Sequence, residues 1–367
     1  MIRILSPVNG LNEVEPLIEA GAEEFYCGVM PEAWKKQYSN VASPNRREWV
    51  AANLKDFDTV KKIAETAHRK NVRVFLTMNA LYTEGQYREV ESFIRSAVDC
   101  GVDAVIVADI GLLLSLREMG WKKDIHVSTG GTTFNNETIL FYRELGAARV
   151  ILPRQNRVNE AAAMAQQNRD IEIETFIMNS GCMNIDGFCT YHHGTKELKR
   201  PFWWNIPKKL HCDYYILNLM KRMPLFLRQK VSRLIANSSD SACFLPYDIE
   251  VKSVSASEEQ KQRLHSNLRR NFNMFTGFDT CGVCSLYDFE KAGVASVKIV
   301  GRNNPLFKKI NDVRFIRACL VFLREKSPSR EEFVDFAKQE YAKVFGFSCS
   351  EWCYFPAKDL EIPAGEM

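Results

Sequence analysis

The chain has 367 residues, 46% of them hydrophobic and 26% charged, with a formal net charge of +4. This is a globular composition with apolar material for one large domain or two ordinary ones. No apolar run approaches the roughly 18–20 residues of a membrane span, and so small an overall charge does not by itself imply a nucleic-acid partner.

The N-terminus, MIRILSPVNG, enters a strand pattern directly and has no signal-peptide architecture, so a cytoplasmic location is the expectation. A ten-residue pattern then recurs: AGAEEFYCGV (20–29), CGVDAVIVAD (100–109), LGAARVILPR (145–154) and AGVASVKIVG (292–301) align without gaps. KNVRVFLTMN (70–79) fits as well, with Asn71 in the place of glycine. Gly or Asn there ends a helix in the left-handed conformation, and the short β-branched run after it makes a strand buried on both faces. The preceding helices are visible as DFDTVKKIAETAHRK, YREVESFIRSAVDC, NETILFYREL and SLYDFEKA.

Eight strands follow from the pattern, at 2–7, 23–29, 73–79, 104–109, 125–129, 148–154, 171–178 and 295–300. Alternating β and α with eight parallel strands predicts an α/β fold, a TIM-type (β/α)8-like barrel. A doubly wound open sheet is the other arrangement, but no G-x-G-x-x-G follows the first strand. Residues 1–189 supply seven strands, 190–280 an insertion that is too long for a plain loop, and 281–302 the closing helix and strand. Residues 303–367 form a helical extension with a cysteine-containing tail. A polar loop is expected over 30–52, carrying Asn45, Arg46 and Arg47, with Asn53 beside it.

Chemistry gathers at the C-terminal ends of barrel strands. The residues expected there are Asn79, Asp109, Ser128, Thr129, Arg154, Glu174 and Lys298, with Arg302 just beyond. Glu174 and Lys298 lie in apolar strands, and buried charges need partners, so Glu174 is expected to pair with Lys298 or Arg154. Either this is an ion-pair network inside the barrel, or it is a polar pocket that orients an anionic or carbonyl-bearing substrate. In the second reading Arg154 and Lys298 hold the substrate, and Glu174, with Asp109, handles protons.

The eleven cysteines are many for a reducing compartment, where they serve as core fillers, metal ligands or redox groups. Cys27, Cys100 and Cys319 sit in apolar patterns and read as core. The strand IEIETFIM stops at Asn179-Ser180-Gly181, and Cys182 and Cys189 follow as C-x6-C. Cys281-Gly-Val-Cys284 opens the helix that leads into the last strand, so four thiolates are expected to converge at the barrel top. They suit a 4Fe–4S cluster or a structural zinc. Cys243 and Cys212, in the insertion, are alternates for one of the four. Cys349 and Cys353 form a further C-x3-C pair, with tail packing as the plainer reading.

From Lys196 to Arg233 the insertion carries ten Lys/Arg against two Asp/Glu, interleaved with Phe202, Trp203, Trp204, Tyr214 and Tyr215. Such a stretch suits RNA, by phosphate neutralisation and base stacking, or an amphipathic helix docking on the barrel or a lipid surface, or a packed lid with a solvated basic face. His192 and His193, close after Cys189, have the reach to join the site, with exposed loop histidines as the plainer reading.

Over residues 2–190 and 281–302 the chain resembles the collagenase-like peptidases, peptidase family U32. The resemblance is carried by SPVNGLNEVEPLIEAGAEEFYCGV, Asn53 in AANLKDF, VRVFLTMNAL, GVDAVIVADIGLL and IHVSTGGTTFN. LGAARVILPR, E-x-F-x5-C-x6-C from Glu174 to Cys189, and GVASVKIVGR complete it. The resemblance implies a TIM-type barrel with a cysteine-ligated iron–sulfur cluster. It also implies oxygen-independent hydroxylation of a quinone precursor or RNA base, in some members with prephenate as oxygen source. Cys182 and Cys189 match the family's first cluster cysteines, and Arg154, Glu174, Lys298 and Arg302 match its polar positions. Two features depart from the pattern. Met178-Asn179 stand where the family has His-Gly, and the later cysteine pair is replaced by the basic insertion. The expectation is therefore an iron–sulfur enzyme acting on a small aromatic or nucleobase substrate with a redox partner. A zinc-dependent peptidase or hydrolase and a non-catalytic RNA- or partner-binding barrel are the alternatives; neither H-E-x-x-H nor G-x-S-x-G occurs.

Overall fold

The computed structural model describes residues 1–38, 43–47, 52–182, 184–189, 280–346, 348–349 and 353–355, with isolated positions between 219 and 277. Eight strands form the wall: β1 (Arg3–Pro7), β2 (Glu24–Cys27), β3 (Arg73–Met78), β4 (Ala104–Val107), β5 (Asp124–Val127), β6 (Arg149–Ile151), β7 (Glu172–Met178) and β8 (Ser296–Ile299). Each pairs in parallel with the next, and β8 closes on β1, so the sheet is a complete barrel. Helices α1 (Val14–Ala20), α2 (Glu32–Tyr38), α3 (Phe57–His68), α4 (Tyr87–Asp99) and α5 (Ile110–Glu118) accompany the first strands. Then come α6 (Asn136–Glu144), α7 (Val158–Gln167), α8 (Leu286–Ala292), α9 (Leu306–Lys326) and α10 (Arg330–Phe345). This is the TIM-type barrel that the recurring pattern predicts. No helix among the described residues is long and apolar enough to cross a membrane.

The punctuation works as the sequence suggests. Gly21, Gly101, Gly146 and Gly293 all have positive φ, and Asn71, at the equivalent place, has φ 57°. Each lets the chain leave its helix and turn at once into the strand. At the helix starts, Asp56, Asp109 and Asn135 each accept the amide hydrogen of the residue three positions on, which satisfies a donor the helix leaves open.

Side chains alternate across the wall. Outward-facing residues such as Ile4, Phe25, Val74, Val105, Val127, Val150, Ile173 and Val297 pack against the helices in one large core, which includes Cys27, Cys100 and Cys319. Inward-facing Leu5, Tyr26, Phe75, Ala104, Ile106, Ile151, Phe176 and Val300 make a second, smaller core on the barrel axis. Below it lies a charged layer. Arg149 is fully buried and donates to Glu24 at 2.8 Å, to Glu172 at 2.5 Å and to Glu174 at 2.9 Å. Arg3 and Arg73 complete the ring from the rim through Glu24 and Glu172. Burial alone would raise the Glu24 carboxyl, but Arg149, then Arg3 and Arg73, hold it at about 2.

Two expectations need correction. The stretch after β2 is not only a loop: it contains α2, anchored by buried Trp34 against Tyr38, Tyr82 and Phe93. One large aromatic ring supplies enough burial to hold a short helix that its polar neighbours conceal. Glu174 pairs with Lys298, as one option foresaw, but its second partner is Arg149, while Arg154 binds Asp186. Glu174 is the third of the seven residues of β7 and lies well below the strand end, in the ion network. The insertion, with its basic and aromatic residues, Cys212, Cys243, His192 and His193, lies outside the described residues apart from isolated positions.

Candidate active site at the barrel mouth

The described polar residues at the C-terminal ends of the strands form three groups around the mouth. On the β8–β1–β2 side, Arg302 Nη2 donates to Asn45 Oδ1 at 2.9 Å. Asn45 Nδ2 donates to Asn53 Oδ1 at 2.7 Å and to the Val29 carbonyl at 3.1 Å, and Asn53 donates to the Arg47 carbonyl at 2.6 Å. A Cβ on Gly28 would overlap both Arg302 and Asn45, so glycine here lets the guanidinium lie against the strand end.

On the β6–β7 side, Arg154 lies over the Phe176 ring, 4.1 Å from its centroid, and donates through Nη1 to Asp186 at 2.5 Å. Asp186 also accepts the Arg154 amide at 3.0 Å, and Gln155 donates to the Asn184 carbonyl at 2.6 Å. The loop that follows β7 is thereby pinned onto the end of β6. Asn79 donates to Ser128 at 2.9 Å on a third side.

Tyr26 stands between these groups on the axis, its hydroxyl donating to the Ile299 carbonyl at 3.0 Å. Burial pushes its phenol up to about 12, while Arg302, Arg47 and Arg154 pull the other way. Three guanidinium groups from different strand ends thus act on one ring. Lys298 lies over the same ring at 4.3 Å and donates to Glu174 at 3.0 Å. Burial lowers the Lys298 pKa, and Glu174 opposes that shift. The resulting mouth is cationic with an aromatic floor, a combination suited to a planar ring bearing anionic or carbonyl oxygens.

Asp109, by contrast, is fully engaged. It accepts from the amides of Leu112 and Tyr82 at 3.0 Å and from the Tyr87 hydroxyl at 2.7 Å, which makes it the cap of α5 and the anchor of the β3–α4 loop. Tyr354, from the C-terminal tail, was not foreseen. Its ring belongs to the inner core, and its phenol lies close enough to Arg154, Asp186 and Cys182 to feel their charges. Arg149, Tyr26 and Phe176 were missed too, although each follows from period-two alternation with an inward residue of the same strand.

Apart from the three in the core, the described cysteines divide into two groups. Cys182 and Cys189 are half-buried at the mouth. Asn184 donates to Cys182 Sγ at 3.7 Å, and Cys182 belongs to a two-residue ladder, Gly181–Cys182, that pairs with Thr276–Gly277. Cys281 and Cys284 do not join them. Burial pushes Cys281 well up, with Cys284, Cys349 and Cys319 adding to the shift. It lifts Cys284 to about 11, with Cys349 and Cys353 adding. Among the described residues, Cys182, Cys189, Cys281 and Cys284 do not already stand together as a metal-holding group. The tail draws Cys281 to its own side through a backbone bridge with Cys353. Among the described residues no three His, Cys, Asp or Glu side chains already stand in metal-holding geometry. The surroundings of Cys182 nonetheless suit a thiolate-held group: the residue is half-buried, the Asn184 amide donates to its sulfur, and the Arg154 guanidinium lies near it.

The sequence profile of peptidase family U32 matches residues 9–199, more than half of the chain. The chain belongs to peptidase family U32. Among relatives of this U32 chain, an uncharacterised protease of Methanocaldococcus jannaschii is 31% identical over 52% of the chain. A tRNA hydroxylation protein P of Haemophilus influenzae is 29% identical over 51% of it. A 23S rRNA 5-hydroxycytidine synthase of Escherichia coli is 25% identical over 52% of it. The matches span only 43%, 37% and 26% of these three relatives' lengths.

Proposed function

We propose that this U32 chain is an iron–sulfur-dependent enzyme that hydroxylates a base of an RNA without molecular oxygen. The observation that carries this reading is the pairing of Cys182 and Cys189 with the cationic, aromatic mouth on the same face of the barrel. Relatives named for hydroxylation of tRNA and rRNA support the choice of substrate. Cys182 and Cys189 would hold a 4Fe–4S cluster, which when bound supplies electron transfer.

The chain's own groups do the remaining work. Arg302, held by Asn45, and Arg154, held by Asp186, bind phosphate or carbonyl oxygens. Tyr26 and Phe176 form an apolar floor on which a flat ring rests and from which water is excluded. Lys298, desolvated and bonded to Glu174, is placed to hold or deliver a proton at the substrate's edge, and Glu174 sets its position. Asp109 contributes through the loop it fastens. Hydroxylation oxidises the base, so a hydroxyl donor and a redox partner are required.

The test is iron, sulfide and zinc content of anaerobically purified protein, with nucleoside mass spectrometry of RNA from cells with and without the gene. About four irons per chain, lost in Cys182→Ala, together with a hydroxylated nucleoside that depends on the gene and on Lys298, is the expected result. Zinc without iron, or an unchanged nucleoside profile, would sink the reading and favour the hydrolase or binding alternatives. Comparing Cys212→Ala with Cys243→Ala identifies further cluster ligands.

A further inference from the structure

We propose that Cys281, Cys284, Cys349 and Cys353 form a second metal site, for one thiophilic divalent ion of the zinc type. It fastens the C-terminal tail across the barrel mouth. The two pairs are spaced C-x2-C and C-x3-C, within the range used by tetrathiolate zinc sites. Both pairs lie beyond residues 9–199, the part of the chain that the family profile matches.

The fold brings the pairs together. Cys281 forms an antiparallel bridge with Met178 on one side and a parallel bridge with Cys353 on the other. The Tyr354 amide donates to the Cys281 carbonyl at 2.8 Å, and the Phe355 ring meets Phe289 of α8 at 5.6 Å. Gly282, between the first two cysteines, has no room for a Cβ beneath Tyr354 and Phe355. The tail leaves α10 through Gly346, whose left-handed conformation (φ 77°) ends that helix.

Exposure separates these four from the packing cysteines. Cys27, Cys100 and Cys319 are buried, whereas Cys281, Cys284 and Cys349 are half-buried and Cys353 is exposed. Cys284 lies close enough to Cys349 and Cys353, and Cys349 to Cys353, for their side chains to interact. They are not yet at ligating geometry. The backbones of Cys281 and Cys353 are already bridged, and the proposal requires the four side chains to turn onto the ion. Binding releases the four thiol protons, and four thiolates with one divalent cation leave a complex of charge −2.

The consequence reaches the active face. Tyr354 directly follows Cys353 and inserts its ring among Tyr26, Phe176 and Val300. An ion at Cys353 therefore fixes one wall of the mouth. This site stands whether or not Cys182 and Cys189 hold a cluster, and the experiment separates the two.

The full chain is purified anaerobically as wild type, Cys182→Ser/Cys189→Ser and Cys349→Ser/Cys353→Ser. Zinc and iron are measured, and metal-stripped protein is titrated with cobalt(II), whose thiolate charge-transfer band reports sulfur ligation. The expected result is about one thiolate-bound ion retained in the first variant and lost in the second. Hydrogen exchange at 353–355 should rise in the wild type on metal stripping. An unchanged cobalt band in Cys349→Ser/Cys353→Ser overturns the proposal. Loss of the band in both variants also overturns it, because it makes the thiols a single shared site. Circular dichroism establishes that each variant is folded. Should the double variant misfold, Cys353→Ser alone, at an exposed position, gives the same readings.

Discussion

Asn179 illustrates how one residue can keep a backbone role and add a side-chain role. It has φ 67°, the left-handed region, at the position where the family resemblance expects glycine. Its Nδ2 donates to Asp312 at 2.8 Å and to the Val300 carbonyl at 3.1 Å, and its Oδ1 accepts from Lys308 at 2.9 Å. The amide thus ties the end of β7 to α9. Asn179→Gly is expected to keep the turn but lose the tie, costing about 1–3 kcal/mol for the buried partners left behind. Asn179→Ala should cost more, because alanine adds strain at positive φ. Denaturant unfolding of the two variants checks the order; equal stability with wild type would remove the tie from the account. The sequence shows the departure from His-Gly at this point. It does not show the compensation, because Lys308 and Asp312 lie far along the chain and nothing local marks them as buried.

Among elements, α2 and α9 show where periodicity stops being informative. The helices that precede the left-handed residues are legible because they repeat one pattern and end in one way. Helix α2 is seven residues long with Trp34 as its only buried member, too short for an apolar stripe to declare itself. Trp34→Ala should cost about 3–5 kcal/mol in denaturant unfolding and loosen the β2–α3 segment that presents Asn45 and Asn53. A loss below about 1 kcal/mol would mean that the ring is not the anchor. Helix α9 buries Lys308, Lys309 and Asp312, which no amphipathic pattern would place inside. Lys309 reaches Glu13 at 2.8 Å and the Arg302 carbonyl at 2.8 Å, so this long helix braces the strand end that carries Arg302. The places of Arg154, Lys298, Arg302 and Cys182 at or near the strand ends were legible, because strand ends can be read from the repeat. The grouping of Cys281 and Cys284 with the tail was not, because C-x2-C spacing carries no direction.

Across the whole molecule, stability is tied to the ion layer around Arg149. Glu24 is held at about 2 against an ordinary 4.5, so its contribution is fully present above about pH 4.5 and is lost as pH falls through about 2. The size of that shift corresponds to about 3 kcal/mol. Glu24→Gln should destabilise the barrel at neutral pH by about 3–5 kcal/mol, because Arg149 loses its main partner, and should flatten the stability profile between pH 4.5 and 2. Urea titrations across that range test both effects; a variant as acid-sensitive as the wild type would place the responsible group elsewhere.

That same layer has a consequence for traffic. Arg149, Glu24 and Glu174 close the axis from below, and Leu5, Phe75, Ile106 and Ile151 fill it above them, so the barrel is a cup with a single rim. A ligand that enters the axis must return through the rim it came in by. A molecule lodged at the rim would then block entry and exit together.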